Sequence, residues 1–340
     1  MVCKLPETLN GNSGLVAHDG GGFWIINDHE STNSLYKIDS NCRVLRHITV
    51  INAEHIDWED LCMDDAGNLY IGDFGNNANQ RKNLKIYKLH RTDMDLHDSV
   101  VAEIIHFNYH NQTTFPPSSP QLNFDMEAMV WFRGFLYLFS KNRTNPFTGY
   151  TYLYKLPDTS GNYSVSPLDS FYTGPGPFIQ YWITGASIVA NKLFLLSHDR
   201  AWLFEPFNEI SLLNTSFVMF TFPHFTQKEA ISFSNNESVW ITDEFNSTLN
   251  SGGNLYHATL KDPTATKFDS PNVSSCIILN TNDYLIIASE EVCLFQIFDL
   301  FGICVASLDN LNGAIDISFL ISGMYFLVCD QAVCGKFIKG

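Results

Sequence analysis

Apolar residues in this chain fall mainly at alternate positions, in short runs broken by Gly, Asn, Asp and Pro. That is the pattern of half-buried β-strands joined by turns. The clearest unit is IDWEDLCMDDAGNLYIGDFGNN, from Ile56 to Asn77. It predicts a β-hairpin. Glu59 opens a strand with apolar Leu61 and Met63, residues 64–68 (DDAGN) turn the chain, and LYIGD returns it to polar Asp73. Asp, Gly and Asn suit the turn because they reach turn geometry at little cost.

The unit recurs. Ser13 opens SGLVA and Phe23 starts the next strand 10 residues later; Glu59 and Leu69 are also 10 apart. Glu127 (EAMVW) and Leu136 are 9 apart, Thr184 (TGASI) and Leu193 are 9 apart, and Glu229 (EAISF) and Val239 are 10 apart. Each opening residue has apolar residues two and four positions on, so one strand face is buried every time. A period of about 45 to 68 residues built from short strands predicts a propeller. Five hairpins give an all-β fold, a five-bladed β-propeller over residues 1–268. Its last outer strand is expected from TKFDS (266–270) or from the N-terminal CKLPET. The insert TTFPPSSPQLN (113–123) reads as a surface loop.

The net charge of −16 argues against DNA, RNA or anionic membrane surfaces as partners, and is compatible with cation binding. No apolar run approaches the roughly 18–20 residues that span a bilayer, and no signal peptide is visible in MVCKLPETLNG. The eight cysteines form no CxxC pair. Most are read as buried free thiols, with room for one disulfide in the tail.

From about Pro271 the character changes. The tail carries LFQIFDLFGICVAS, AIDISFLISGMYFLVCD and a terminal GKFIKG. The matching residues are Ile297, Phe298, Asp299, Leu300 and Gly302; Ile315, Asp316, Leu320, Gly323, Tyr325 and Phe326; and 336–339 (KFIK). This resembles the C-terminal sorting domain of the type IX secretion system of Bacteroidetes. The resemblance implies a small β-sandwich-like sorting domain over 271–340. It also implies the outer-membrane type IX secretion machinery as a partner, and a secreted or cell-surface location.

In a propeller the innermost strands line a central channel, so residues at equivalent offsets converge on its axis. Here they are Ser13, Glu59, Glu127, Thr184 and Glu229. Three carboxylates held together repel one another unless paired or protonated. With no Lys or Arg at the other two ring positions, a hard divalent cation is the expected counterion. Oxygen donors select Ca²⁺ over zinc or copper. Alternatively, these side chains cap neighbouring backbone N–H groups. The order Ser, Glu, Glu, Thr, Glu also resembles the ring of the calcium-activated nucleotidases (apyrases), which implies a central Ca²⁺ held by those five residues.

The ends of the second strands reach the same face and collect Asp73, Lys141, Arg143, His198, Arg200 and Asp243. For a calcium-dependent hydrolase of phosphate esters, Asp73 or Asp243 would serve as base. Lys141, Arg143 and Arg200 would stabilise anionic charge, with His198 as a further acid–base candidate. Two alternatives stay open. One is a glycosidase using carboxylate pairs. The other is a non-catalytic monomeric module with a structural metal that binds a small molecule, glycan, peptide or surface partner, with mouth aromatics such as Phe74, Phe147, Tyr181 and Phe245 suited to glycan stacking.

Overall fold

The computed structural model describes residues 1–18, 21–28, 32–248 and 250–260, and in the tail 277–280, 284–288, 294–298, 304–309, 313–321, 323–329 and 332–339. The chain divides into two compact units, Met1–Lys261 and Asp262–Gly340. The expected boundary at 268–271 and the TKFDS segment lie outside the described residues.

Among the described residues, the first unit folds the alternating pattern into five sheets. Their first strands are Asn12–Ala17, Trp58–Met63, Asp125–Phe132, Gly185–Val189 and Lys228–Asn235. Each pairs with the second strand of its hairpin: Phe23–Asn27, Leu69–Asp73, Phe135–Lys141, Lys192–Leu196 and Ser238–Asp243. The five first strands touch in ring order, the fifth against the first, so the sheets are the blades of a closed five-bladed propeller.

The N-terminus closes the ring. Cys3–Lys4 is the outer strand of blade five, antiparallel to Asn254–Thr259 with Cys3 opposite Leu255. Cys3 is disulfide-bonded to Cys42 in blade one, at a Cα separation of 6.1 Å. This corrects the free-thiol reading for that pair, whose partners lie 39 residues apart in sequence. Cys62 is a buried free thiol as expected. Two short strands were not foreseen: Ser99–Val100 and Gly161–Val165 extend the outer edges of blades one and two in parallel.

Alternation also explains the core. One apolar cluster sits between each pair of neighbouring blades. Trp24, Trp58 and Tyr87 fill the first junction, and Phe139, Trp202 and Phe204 the third. Leu5, Leu9, Leu15 and Leu255 fill the closing junction between blades five and one. Each fully buried side chain of this size contributes about 1.5–3 kcal/mol. The blades therefore hold together face to face and fix the channel between them.

In the second unit the described strands form a three-stranded sheet (Ile277–Asn280, Tyr284–Ala288, Gly313–Asp316) and a four-stranded sheet (Leu294–Phe298, Cys304–Asp309, Gly323–Cys329, Ala332–Lys339). Ile297 and Tyr325 are buried within this unit. The motif residues Asp299, Leu300 and Gly302 lie outside the described residues.

Candidate functional site

Local backbone geometry aims the ring residues. Four of the five first strands change register at the ring position: between Asn12 and Gly14, Trp58 and Asp60, Met126 and Ala128, and Lys228 and Ala230. Each irregularity is centred on Ser13, Glu59, Glu127 or Glu229. A bulge of this kind re-aims one side chain out of the sheet alternation. In blade four the Thr184 N–H donates to the Leu196 carbonyl at 3.0 Å, just ahead of the Gly185–Leu196 pair.

The next residue along each strand is Gly14, Asp60, Ala128, Gly185 or Ala230. The small ones let neighbouring blades approach. A Cβ on Gly14 would lie 2.8 Å from Leu61 N, and one on Gly185 would lie 2.8 Å from Glu229 O. Asp60 instead reaches the neighbouring blade. Its carboxylate accepts from Leu61 N at 2.7 Å and from Met129 N of blade three at 2.6 Å. The two hydroxyls of the ring also staple blades. Ser13 Oγ donates to Trp58 O and Thr184 Oγ1 to Lys228 O, both at 2.7 Å.

A cavity of about 240 Å³ is lined by Ser13, Glu59, Glu127 and Glu229 of the ring, with Lys141, Arg143 and His198. The two other ring positions hold hydroxyls, and positive charge reaches the ring from the second strand of blade three. Lys141, at the end of the second strand of blade three, reaches over its own hairpin and puts Nζ 2.9 Å from Glu127 Oε2. Arg143 binds Asp125 Oδ2 at 2.7 Å, stands 3.6 Å from Glu127 Oε1, and stacks on Trp182 at 4.5 Å. Burial alone would depress Lys141, but Glu127 and Glu229 hold it above the usual lysine range, so it stays charged.

The carboxyls differ in environment. Burial, then the charges of Glu127 and Asp57, push Glu59 well up, and among the described residues no ion pair involves it. Burial also pushes Glu229 up, but Lys141 and the adjacent His198 outweigh it and hold it low. His198 Nε2 faces Glu229 Oε1 at 3.5 Å, yet both ring nitrogens lack a hydrogen-bond partner among the described residues, as does Asn12 Oδ1. All three atoms are buried and belong to residues that line the cavity. An unmet buried polar atom costs about 1–3 kcal/mol, so these are the atoms a ligand would satisfy.

The other expected residues sit elsewhere. Asp73, fully buried, accepts from Arg81 Nη2 at 2.7 Å and Asp57 N at 3.2 Å. Asp243 accepts from Asn254 N at 2.7 Å and Tyr256 OH at 2.6 Å. Arg200 is held by Asp199 at 2.8 Å and stacks on Tyr181 at 4.2 Å. None of these three, nor Thr184, lines the cavity. Phe74, expected at the mouth, is fully buried against Phe107. Trp182 and Gln227 line the cavity and were not foreseen, although each stands two residues before a ring position. Among the described residues, no group of three or more His, Cys, Asp or Glu is spaced to hold a metal ion.

No protein-family model matches the chain, and no curated protein matches it in sequence. Solved structures resemble the chain at low identity. One is the glutaminyl cyclase of Myxococcus xanthus, 12% identical with a TM-score of 0.45 over 75% of this chain and 92% of that one. Another is the PQQ-bound aldose sugar dehydrogenase of Streptomyces coelicolor, 11% identical with a TM-score of 0.43 over 75% and 94%. A third is PorZ, an essential surface component of the type-IX secretion system of Porphyromonas gingivalis, 10% identical with a TM-score of 0.34 over 96% and 44%. At these identities the likeness concerns architecture and assigns no chemistry.

Proposed function

We propose that the channel mouth is an acid–base site that hydrolyses a small, neutral, hydroxyl-rich substrate of the glycoside kind. Glu59 would be the proton donor and Glu229 the ionised carboxylate. The observation that carries this reading is that one cavity holds a carboxyl pushed up and a carboxyl held down. Two titratable groups driven apart by their surroundings are the signature of an acid and its conjugate partner. The charge balance favours a neutral substrate over a phosphate ester. Lys141 and Arg143 are already engaged by Glu127 and Asp125, and a phosphate would also meet Glu229 and Asp28. His198 and Asn12 supply unmet polar atoms for substrate hydroxyls.

The test is hydrolysis of a panel of nitrophenyl glycosides, with nucleoside diphosphates beside them, in the presence and absence of chelator. The expected result is glycoside cleavage indifferent to chelator and reduced at least about 100-fold in both Glu59→Gln and Glu229→Gln. Cleavage of diphosphates alone, or full activity in both variants, would overturn it.

Calcium is the second reading, favoured by one observation. A Cβ on Gly75 would lie 2.2 Å from Glu59 Oε1 and 2.5 Å from Asp57 Oδ2, so two carboxylates crowd one point. Such an oxygen pair suits a hard cation. Its ligands would be Glu59 and Asp57 rather than the whole ring, because Lys141 already stands as counterion to Glu127. A calcium-dependent rise in melting temperature that vanishes in Glu59→Gln would support it. We also propose that the tail directs secretion, which cell fractionation with and without residues 271–340 would test.

A further inference from the structure

A second cavity, of about 490 Å³, opens beside blade three where the insert over 113–123 folds against the strand Tyr150–Pro157. It shares no residue with the channel mouth. Alternation puts Tyr150, Tyr152 and Tyr154 on one face of that strand, and all three line the cavity. They descend from rim to floor: Tyr150 is 43% exposed, Tyr152 half-buried and Tyr154 fully buried.

Every other lining side chain is uncharged, in a protein whose net charge is −16. The walls are rigid. Gln112 Nε2 donates to Asn79 O at 2.8 Å, and Asn123 both donates to Tyr150 O at 3.1 Å and accepts from Ser140 Oγ at 2.7 Å. The hydroxyl of the buried Tyr154 has no hydrogen-bond partner among the described residues, and neither has that of Tyr109, the two ring centroids lying 5.0 Å apart.

We infer that this cavity binds a neutral saccharide, with sugar faces against Tyr150 and Tyr152 and hydroxyls toward the amide walls. A charged ligand would enter without a counterion and lose its hydration unmet. A neutral sugar presents apolar C–H faces to the rings and hydroxyls to the amides. The volume falls in the range of about 300–1,000 Å³ typical of small-ligand sites. A proline-rich peptide also favours aromatic grooves, but it lies along an open furrow and leaves buried phenols unmet.

The experiment is calorimetric titration of the full chain with cellotriose, maltotriose, xylotriose and chitotriose, and with a proline decapeptide. The expected result is binding of at least one trisaccharide, weakened at least tenfold in Tyr150→Ala and several-fold in Tyr154→Phe, both variants melting as the wild type does. Binding of none of the four, equal affinity in both variants, or binding of the decapeptide alone would overturn the inference. So would saccharide binding that is lost in Glu59→Gln and kept in Tyr150→Ala, which would move the sugar to the channel.

Discussion

Lys141 Nζ lies 2.9 Å from Glu127 Oε2, and both side chains are almost fully buried. They belong to the two strands of one hairpin, Lys141 standing opposite Asp125, two residues before Glu127. Breaking one side of such a pair leaves an uncompensated buried charge, at a cost of about 3–5 kcal/mol. Lys141→Met is therefore expected to lower the melting temperature strongly. Adding Glu127→Gln should recover much of the loss, read by thermal melts of both single variants and the double. An additive double variant would mean the two groups are independent.

Glu59→Gln should behave oppositely. The native carboxyl is buried beside like charges that oppose its ionisation, so a neutral amide in its place spares that cost and the fold should melt at the same temperature or higher. Activity at the channel mouth should fall at the same time. A variant that unfolds would assign Glu59 to structure.

Glu244 gives a pH signature. Burial and the charge of Glu229 raise it from an ordinary 4.5 to about 7. The folded state then keeps a proton that the unfolded chain releases near 4.5, so stability is full below that value and falls as pH rises to about 7. Glu244→Gln should flatten that part of the stability curve and raise the melting temperature at pH 8. Melts across the pH range in both proteins decide it.

The Cys3–Cys42 bridge closes a loop of 39 residues at the junction of the first and last blades. Cross-links of this kind contribute about 2–4 kcal/mol, mainly by restricting the unfolded chain. Cys3→Ser should melt several degrees lower, and wild type in reductant should match it. Identical melts with and without reductant would show that the bridge adds nothing.

Ser13→Ala and Thr184→Val each strand a carbonyl, of Trp58 and Lys228 respectively, between blades. Each is expected to cost about 1–3 kcal/mol in a denaturant melt. Loss of calcium-dependent stability without loss of intrinsic stability would make them ligands instead.

The blade plan was legible because each hairpin carries its own evidence: a polar residue, apolar residues two and four on, and a turn. The offsets single out Ser13, Glu59, Glu127 and Glu229, which line one cavity, and Thr184, which does not. What the offsets hid is that Lys141 serves a position on the neighbouring strand, since reach across a hairpin depends on side-chain length and not on spacing. Asp73 and Asp243 looked like mouth residues because they end strands, but Arg81 and Tyr256 come from elsewhere in their blades to claim them. Cys3 could not be matched to Cys42 until the N-terminal strand was known to close the ring. The tyrosine face of blade three was written in the alternation of YTYLY, yet only the folded insert makes it concave.

Glu59 lines the cavity at one mouth, Leu61 lines a separate cavity at the other, and Asp60 between them is tied to blade three. The two cavities share no lining residue, so what binds beside Glu59 and what binds beside Leu61 meet different walls. A ligand arriving beside Glu59 also meets Ile179 and Trp182, which line that cavity.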